Sequence, residues 1–255
     1  MQLSLVPIMG ALLTISVRLS GLMLFAPMFG SVAIPVRVKA IFVLALTVLL
    51  YPMLSARMPA ISISQWPTVV LGELLIGIAL GVATNVVFDG VQMAGQILSI
   101  QMGYSLVNIL DPQTQVDSTV VALFHQTMAM LIFLRLGVHF WILRAIVRSF
   151  DYLPPSAGHF GTAFTVAALH VAASAFSIGI QIAAPVLSAT LLADVALGLL
   201  GKASPQLPLM LLGPAVKSLL GILVMLAALR YWPALFERLF SRSMVQADHL
   251  LHLAG

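Results

Sequence analysis

Hydrophobic residues dominate this chain in long stretches that short polar segments separate. About six such stretches cover residues 5–30, 40–54, 68–88, 119–143, 163–200 and 207–229. Apolar runs of about 20 residues are typical of membrane helices, because a helix satisfies its own backbone hydrogen bonds inside hydrocarbon. The regular alternation of polar and apolar residues that marks membrane β-strands is absent. The pattern therefore predicts an all-α membrane protein with about six hydrophobic segments.

Two of these stretches have the wrong length for a simple membrane span. Residues 40–54 would form a helix of about 22 Å, which is short against a hydrocarbon core of about 30 Å. Residues 163–200 would form one of about 57 Å, nearly two membranes thick. Because proline removes a helix hydrogen bond, we expect Pro185 to divide that stretch into two shorter helices. The segments are thus predicted to be broken at proline or glycine.

One polar, turn-prone segment interrupts the apolar pattern at Gly103–Ser118. It is rich in amide, hydroxyl and carboxylate side chains, and the Asp111-Pro112 pair favours a turn, since the residue before proline avoids helical geometry. One interpretation is an ordinary solvent-exposed loop between two helices. The other is a loop folded into a water-filled passage, where irregular backbone is tolerated at membrane depth. The residues alone leave both open.

Composition excludes several functional classes. Hydrophobic residues make up 61% of the chain and charged residues 8%, against about 25% charged residues in soluble domains. There is no cysteine, which removes disulfides and thiolate chemistry. The net charge of +4 forms no basic stripe with interleaved aromatic residues, so nucleic-acid binding has no support. Since no nucleophile elbow, phosphate loop or metalloprotease motif is present, we expect no enzymatic activity, cofactor or metal.

Ionisable residues lie inside several apolar stretches. Arg18, Arg135 and Asp194 would each cost roughly 2.5–3.5 kcal/mol at the bilayer centre, so we expect them to face protein, water or each other. Glu73 has two interpretations. It is either an acid in the first turn of a helix, where it complements the helix dipole, or part of a proton relay with Asp194. Alternatively, Asp194 forms an ion pair with a basic residue such as Lys202.

Small residues recur at a spacing of four. Gly77 and Gly81 are four apart, as are Ala175, Gly179 and Ala183. This spacing places small side chains on one helix face and allows another backbone to approach closely. The partner helix is either in the same chain or in another subunit. The candidate packing positions are Gly77, Gly81, Gly95 and Gly179.

Basic residues in the loops give a mixed topology signal. In a six-helix arrangement the positive-inside rule favours cytoplasmic termini, yet Arg37 and Lys39 fall on the opposite side. Together with the stretches of unsuitable length, this predicts a chain that packs into a larger assembly. Because no basic residue precedes Arg18, we expect the first segment to be retained and not cleaved as a signal. We expect one membrane domain over residues 1–255, with a short basic amphipathic tail at 230–255.

Several motifs occur in a specific order and spacing. They are Arg18-Leu19-Ser20-Gly21, Ala26-Pro27-Met28-Phe29-Gly30, Gly72-Glu73-Leu74-Leu75-Ile76-Gly77, Met93-Ala94-Gly95, Gln101-Met102-Gly103, Asp111-Pro112-Gln113, Leu191-Leu192-Ala193-Asp194, Ser204-Pro205-Gln206-Leu207 and Lys217. Through these motifs the chain resembles, over essentially its whole length, the FliR/SctT family of export-gate subunits in bacterial type III secretion. It departs from the family at Pro208-Leu209-Met210 and at Gly213-Pro214-Ala215, where the family usually has Asn-Val-Phe and Gly-Phe-Pro.

The resemblance implies a fold and a set of partners. The fold would be one of tilted helical hairpins, and the chain would join FliP- and FliQ-like subunits, with a FlhB-like subunit nearby. Unfolded exported proteins would pass through the central channel, and membrane lipid would surround part of the assembly. The implied location is the bacterial inner membrane, in the flagellar basal body. The alternatives are the corresponding subunit of a virulence injectisome and a proton-coupled small-molecule transporter.

The resemblance also implies roles for individual residues. The segment from Tyr104 to Gln115 is similar to the family's plug, which lies in the channel and helps to hold it shut. Its candidate residues are Tyr104, Ser105, Asn108, Asp111, Pro112, Gln113, Thr114 and Gln115. The candidate inter-subunit or buried polar residues are Arg18, Glu73, Asp194 and Lys217.

Overall fold

Helices make up most of the described part of the chain. The computed structural model describes residues 5–31, 34–55, 58–59, 61–104, 120–155, 157–158, 160–204, 206 and 209–255. Within these ranges there is no strand, and short 3-10 helices at Ile63–Gln65 and Leu229–Tyr231 accompany the α-helices. The α-helices are α1 (Leu5–Phe25), α2 (Val36–Leu54), α3 (Trp66–Gln101), α4 (Val120–Leu136), α5 (Val138–Tyr152), α6 (Thr162–Ala203), α7 (Leu209–Ala228) and α8 (Trp232–His252). The all-α prediction is confirmed.

Most of these helices are apolar enough to cross a membrane. Among the described residues, five stretches qualify by length and composition: Pro7–Phe25, Val36–Leu54, Trp66–Gln101, Thr162–Ala203 and Leu212–His252. A sixth results if the bent pair α4 and α5 counts as one span. The prediction of a helical membrane protein is therefore confirmed, while the tilt of its hairpins stays a prediction.

Helix α6 is longer than the sequence pattern predicts. It contains 42 residues and runs through Pro185 without a break, so the predicted division at that residue is wrong. A proline deletes one N–H donor, and the hydrogen bonds of the turns on either side keep the helix continuous, as is common in membrane helices. At 1.5 Å per residue α6 spans about 63 Å, roughly twice the hydrocarbon core.

Gly137 interrupts the apolar stretch 119–143. Helix α4 ends at Leu136, and α5 begins at Val138. Gly137 between them has a φ of +67°, in the left-handed region that only glycine adopts without strain. The stretch therefore forms two helices and not one.

The fold consists of two compact units, and each is described by itself. The first comprises residues up to Val86, Gly137–Ala173 and Phe240–Gly255. In it, α1 lies directly against the first part of α3. A methyl group at Gly77 would overlap the Arg18 carbonyl oxygen, and one at Gly81 would lie 2.9 Å from the Leu22 carbonyl oxygen. These glycines therefore serve an internal helix contact.

The second unit comprises Val87–Leu136 and Ser174–Leu239. Here the later part of α3 contacts both α4 and α6. A methyl group at Gly95 would overlap the Cα of Ala122 on α4, and one at Gly179 on α6 would lie 3.1 Å from the Gly90 carbonyl oxygen. The small-residue face of α6 thus also packs within the chain.

Residues 230–255 are mostly helical, since α8 covers Trp232–His252. One face of α8 is buried, including Phe236, Phe240 and Leu250, while Arg238 and Arg242 are exposed. The assignment of this segment as the tail of a single domain stays a prediction.

Candidate functional site

A fully buried arginine forms the centre of the first unit. Arg18 on α1 has an exposure of 0%, and its Nε and Nη2 donate hydrogen bonds to the two carboxylate oxygens of Glu73 at 2.5 and 2.9 Å. Its Nη1 donates to the Ser149 hydroxyl at 2.8 Å, and Nη2 also donates to the Leu153 carbonyl oxygen at 2.9 Å. The guanidinium lies 3.7 Å from the centre of the Phe150 ring.

This arrangement is a structural brace between α1, α3 and α5. A guanidinium carries five N–H donors, and four hydrogen bonds from it are accounted for here. The interpretation of Glu73 as an acid in the first turn of its helix is wrong, because α3 begins at Trp66 and its first turn contains no acid. The carboxylate is buried two turns further on, because only there does it face Arg18. Both residues thus lie in the buried polar environment that the sequence left as one alternative.

A second polar cluster lies at the end of α3, where the polar segment begins. Gly103 has a φ of +85°. The Tyr104 N–H donates to the Ser99 carbonyl at 2.9 Å, and the Gly103 N–H donates to that of Ile100 at 3.1 Å. These paired bonds, with a left-handed glycine, form the Schellman motif that ends many helices. The motif therefore fixes the backbone of Gly103 and Tyr104 where α3 ends.

Side chains from α6 and α7 complete this cluster within the second unit. The Lys217 ammonium lies 3.0 Å from one carboxylate oxygen of Asp194 and 3.1 Å from the other. The Gln101 side-chain amide also donates to Asp194, at 3.1 Å. The Ser218 hydroxyl donates to the Tyr104 hydroxyl at 2.7 Å. The cluster ties the last turn of α3 to both neighbouring helices.

The same helix end packs closely on α7. A methyl group at Gly103 would lie 3.1 Å from the Pro214 Cβ, and one at Gly221 would lie 2.7 Å from the Met102 side chain. Pro214, Lys217, Ser218 and Gly221 follow a three-and-four spacing, which places them on one face of α7. Sequence reasoning missed Gln101, Pro214, Ser218 and Gly221 as parts of this site. That spacing is the signal that could have found them.

Other predicted site residues have different outcomes. Asp194 does form an ion pair, but with Lys217 and not with Lys202. Lys202 lies in the last turn of α6, eight residues or about 12 Å of helix beyond Asp194. Arg135 is exposed at the end of α4. Of the predicted plug residues only Tyr104 is described. The others, Ser105, Asn108, Asp111, Pro112, Gln113, Thr114 and Gln115, lie outside the described residues.

The two clusters suit different tasks. The Asp194 side chain is 42% exposed and that of Lys217 is 19% exposed, whereas Arg18 and Glu73 are 0% and 2% exposed. Water can therefore replace the contacts between Asp194 and Lys217 but not those between Arg18 and Glu73. Within the described ranges, no group of three or more histidine, aspartate or glutamate side chains could hold a metal ion. The arrangement can exchange hydrogen bonds and ion pairs.

We expect Asp194→Asn to lower stability by no more than about 1 kcal/mol, because partly exposed ion pairs contribute little. Lys217→Met should have a similar effect, and the double variant should cost less than the sum if the two charges interact. Thermal unfolding of the purified full chain in detergent would measure this. A loss of several kcal/mol in either single variant would contradict the assignment of a weak, exchangeable pair.

Comparisons with known proteins identify relatives of this chain. A family described as "Bacterial export proteins, family 1" matches residues 9–243. The chain is 28% identical to the flagellar biosynthetic protein FliR of Bacillus subtilis (strain 168), over 99% of this chain and 98% of that protein. It is 30% identical to the protein of the same name from Pectobacterium carotovorum subsp. carotovorum, over 94% and 92%. It is 29% identical to the secretion system apparatus protein SsaT of Salmonella typhimurium, over 66% and 65%.

Proposed function

The chain belongs to the bacterial export proteins of family 1, and we propose that it is a structural and gating subunit of a type III protein-export gate. The observation that carries this proposal is the family match over nearly the whole chain, together with relatives named as flagellar biosynthetic proteins. The task is one of assembly and gating, so the energy for transport would come from other components.

We infer FliP- and FliQ-like subunits as neighbours, with a FlhB-like subunit close by, in the bacterial inner membrane. The length of α6 supports an assembly, because about 63 Å of helix exceeds one hydrocarbon core. Large apolar side chains such as Leu169 and Leu192 are 70% and 72% exposed along it. Partner helices and lipid would cover them. Copurification with the other subunits, followed by imaging of the intact complex, tests this arrangement.

We propose that the segment from Tyr104 to Gln115 closes the channel at rest and is displaced by a passing substrate. The cluster at the end of α3 supports this, since it fixes the point from which the segment starts. Short polar side chains exchange hydrogen bonds with water at a net difference of about 0.5–1.5 kcal/mol per bond. Opening would therefore require little energy, while the helices that carry the segment stay folded.

Deletion of Asn108 to Gln113 should leave the complex assembled but leaky to small ions, because the seal is removed without touching the anchoring cluster. Ion conductance of the complex in planar bilayers would measure the leak. A variant that replaces the same six positions with glycine and serine keeps the length of the segment and serves as the control for shortening. Background conductance in an assembled deletion variant would contradict a role as plug.

A flagellar system is favoured over an injectisome, because the relatives that match nearly the whole chain carry flagellar names.

Crosslinking distinguishes a gating role from that of a scaffold that only helps the complex to assemble. A substrate trapped in transit should crosslink to probes placed in residues 104–115.

The small-molecule transporter has no supporting observation, since Glu73 and Asp194 both pair with basic side chains. Because Glu73→Gln would leave Arg18 buried without its counter-charge, Asp194→Asn alone tests the proton-relay form of that hypothesis. Export that survives Asp194→Asn would contradict a relay through Asp194.

A further inference from the structure

A basic groove in the first unit is unrelated to the polar segment. It has a volume of about 340 Å³ and lies between α5 and α8, with Trp141, Arg144, Arg148 and Tyr152 on the α5 side. A second groove, of about 430 Å³, shares both arginines and is otherwise lined mainly by apolar side chains, including Met53, Leu143 and Val147. Volumes of this size are typical of small-ligand clefts.

The guanidinium groups of Arg144 and Arg148 are available to bind an anionic ligand. Arg144 and Arg148 are one turn apart on α5, and both are exposed. Among the described residues neither forms an ion pair, in contrast to Arg18. The groove also contains Asp248, but that carboxylate accepts a hydrogen bond from the Tyr152 hydroxyl at 2.9 Å and lies 3.7 Å from the His252 ring nitrogen.

The second groove has one acid of its own. Asp151 lines it, three residues after Arg148 and seven residues, or about 10 Å of helix, after Arg144. The carboxylates thus lie toward one end of the site, and an anion would bind at the Arg144 end.

We propose that Arg144 and Arg148 bind the phosphate of an anionic phospholipid, with its acyl chains along the apolar second groove. A guanidinium presents a planar fork of donors that matches phosphate oxygens. Trp141 and Tyr152 are of the type that accumulates where a membrane protein meets the headgroup region. Basic pockets between membrane helices bind anionic headgroups in the same way. A phospholipid is the ligand that satisfies the charge, the aromatic border and the apolar groove together.

The test compares lipid binding by the purified full chain in mixed micelles. Wild type should prefer phosphatidylglycerol to phosphatidylcholine, and Arg144→Gln combined with Arg148→Gln should weaken phosphatidylglycerol binding by roughly 25-fold, or about fivefold for each arginine. Arg238→Gln with Arg242→Gln is the matched control, since these exposed arginines are also four apart on a helix. Arg144→Lys with Arg148→Lys keeps the charge but loses the fork, and should fall between the two.

Three results would overturn the proposal. One is equal affinity for the two lipids, and another is an equal loss in the matched control. The third is full displacement of the lipid by inorganic phosphate at the same concentration, which would make this a site for the free anion. Thermal unfolding in zwitterionic detergent checks that each variant folds. If the glutamine variant does not fold, the lysine variant decides. Weaker phosphatidylglycerol binding than in wild type, with the matched control unchanged, supports the site, and wild-type affinity in the lysine variant contradicts it.

Discussion

Arg18→Met is expected to destabilise the chain by about 3–5 kcal/mol, the cost of removing one partner from a buried ion pair. The substitution leaves the Glu73 carboxylate buried without its counter-charge and deprives Ser149 and the Leu153 carbonyl of their donor. Since a domain is stable by about 5–15 kcal/mol in total, much of the chain should then fail to accumulate. The measurements are the amount of full-length chain in membranes and its thermal unfolding in detergent.

Two further variants show whether the buried charge causes the loss. Arg242→Met removes an exposed arginine on α8 and should change stability by no more than about 0.5 kcal/mol. Arg18→Met combined with Glu73→Leu removes both charges and should recover much of the loss, because apolar replacement of a whole buried pair is often neutral. If the free energy of unfolding of Arg18→Met lies within about 1 kcal/mol of the wild-type value, Arg18 is not the structural brace between α1, α3 and α5.

Gly77→Ala is expected to force α1 and α3 apart. The added methyl group would overlap the Arg18 carbonyl oxygen, which is backbone and cannot rotate away. Overpacking of this kind costs typically 1–3 kcal/mol and exceeds the gain of about 1 kcal/mol from replacing a helical glycine. The shift would also disturb the neighbouring Arg18–Glu73 pair, so the loss should lie at the upper end. Thermal unfolding of the full chain would measure it.

Gly72→Ala is the matched control on the same helix. A methyl group there would meet only the Phe160 ring, at 3.7 Å, which is an ordinary contact. This variant should keep wild-type stability or gain up to about 1 kcal/mol from helix propensity. Equal losses at positions 72 and 77 would mean that helix propensity, and not the close contact with α1, decides the effect.

The two polar clusters are expected to differ in how much stability is lost when their ion pairs are broken. The Arg18–Glu73 pair is fully buried, so breaking it should lower the free energy of unfolding by several kcal/mol. The Asp194–Lys217 pair is partly exposed, and water can replace its contacts at little cost. If the segment that starts at Tyr104 is the gate, the weak Asp194–Lys217 pair beside it would let the gate move. The buried Arg18–Glu73 pair would keep the helices of the first unit folded meanwhile.

The sequence by itself determined the class of protein. Helical membrane structure follows from length and apolarity, because hydrocarbon offers the backbone no other partner. The family followed from ordered motifs, since their spacing survives where overall identity is low. The expectation that charged residues inside apolar stretches face other groups also held for Arg18 and Asp194, because an unpaired charge in that environment is too costly.

Only the tertiary structure decided which groups meet. The partner of Asp194 is Lys217 and not Lys202, and the partner of Glu73 is Arg18, 55 residues away in the chain. Helix α6 continues through Pro185 because neighbouring turns outweigh one missing donor, which no local rule predicts. The glycines of α3 contact helices of the same chain, although their spacing fits either partner equally well. Helical periodicity states which residues share a face, but the choice of the facing helix depends on packing across long sequence separations.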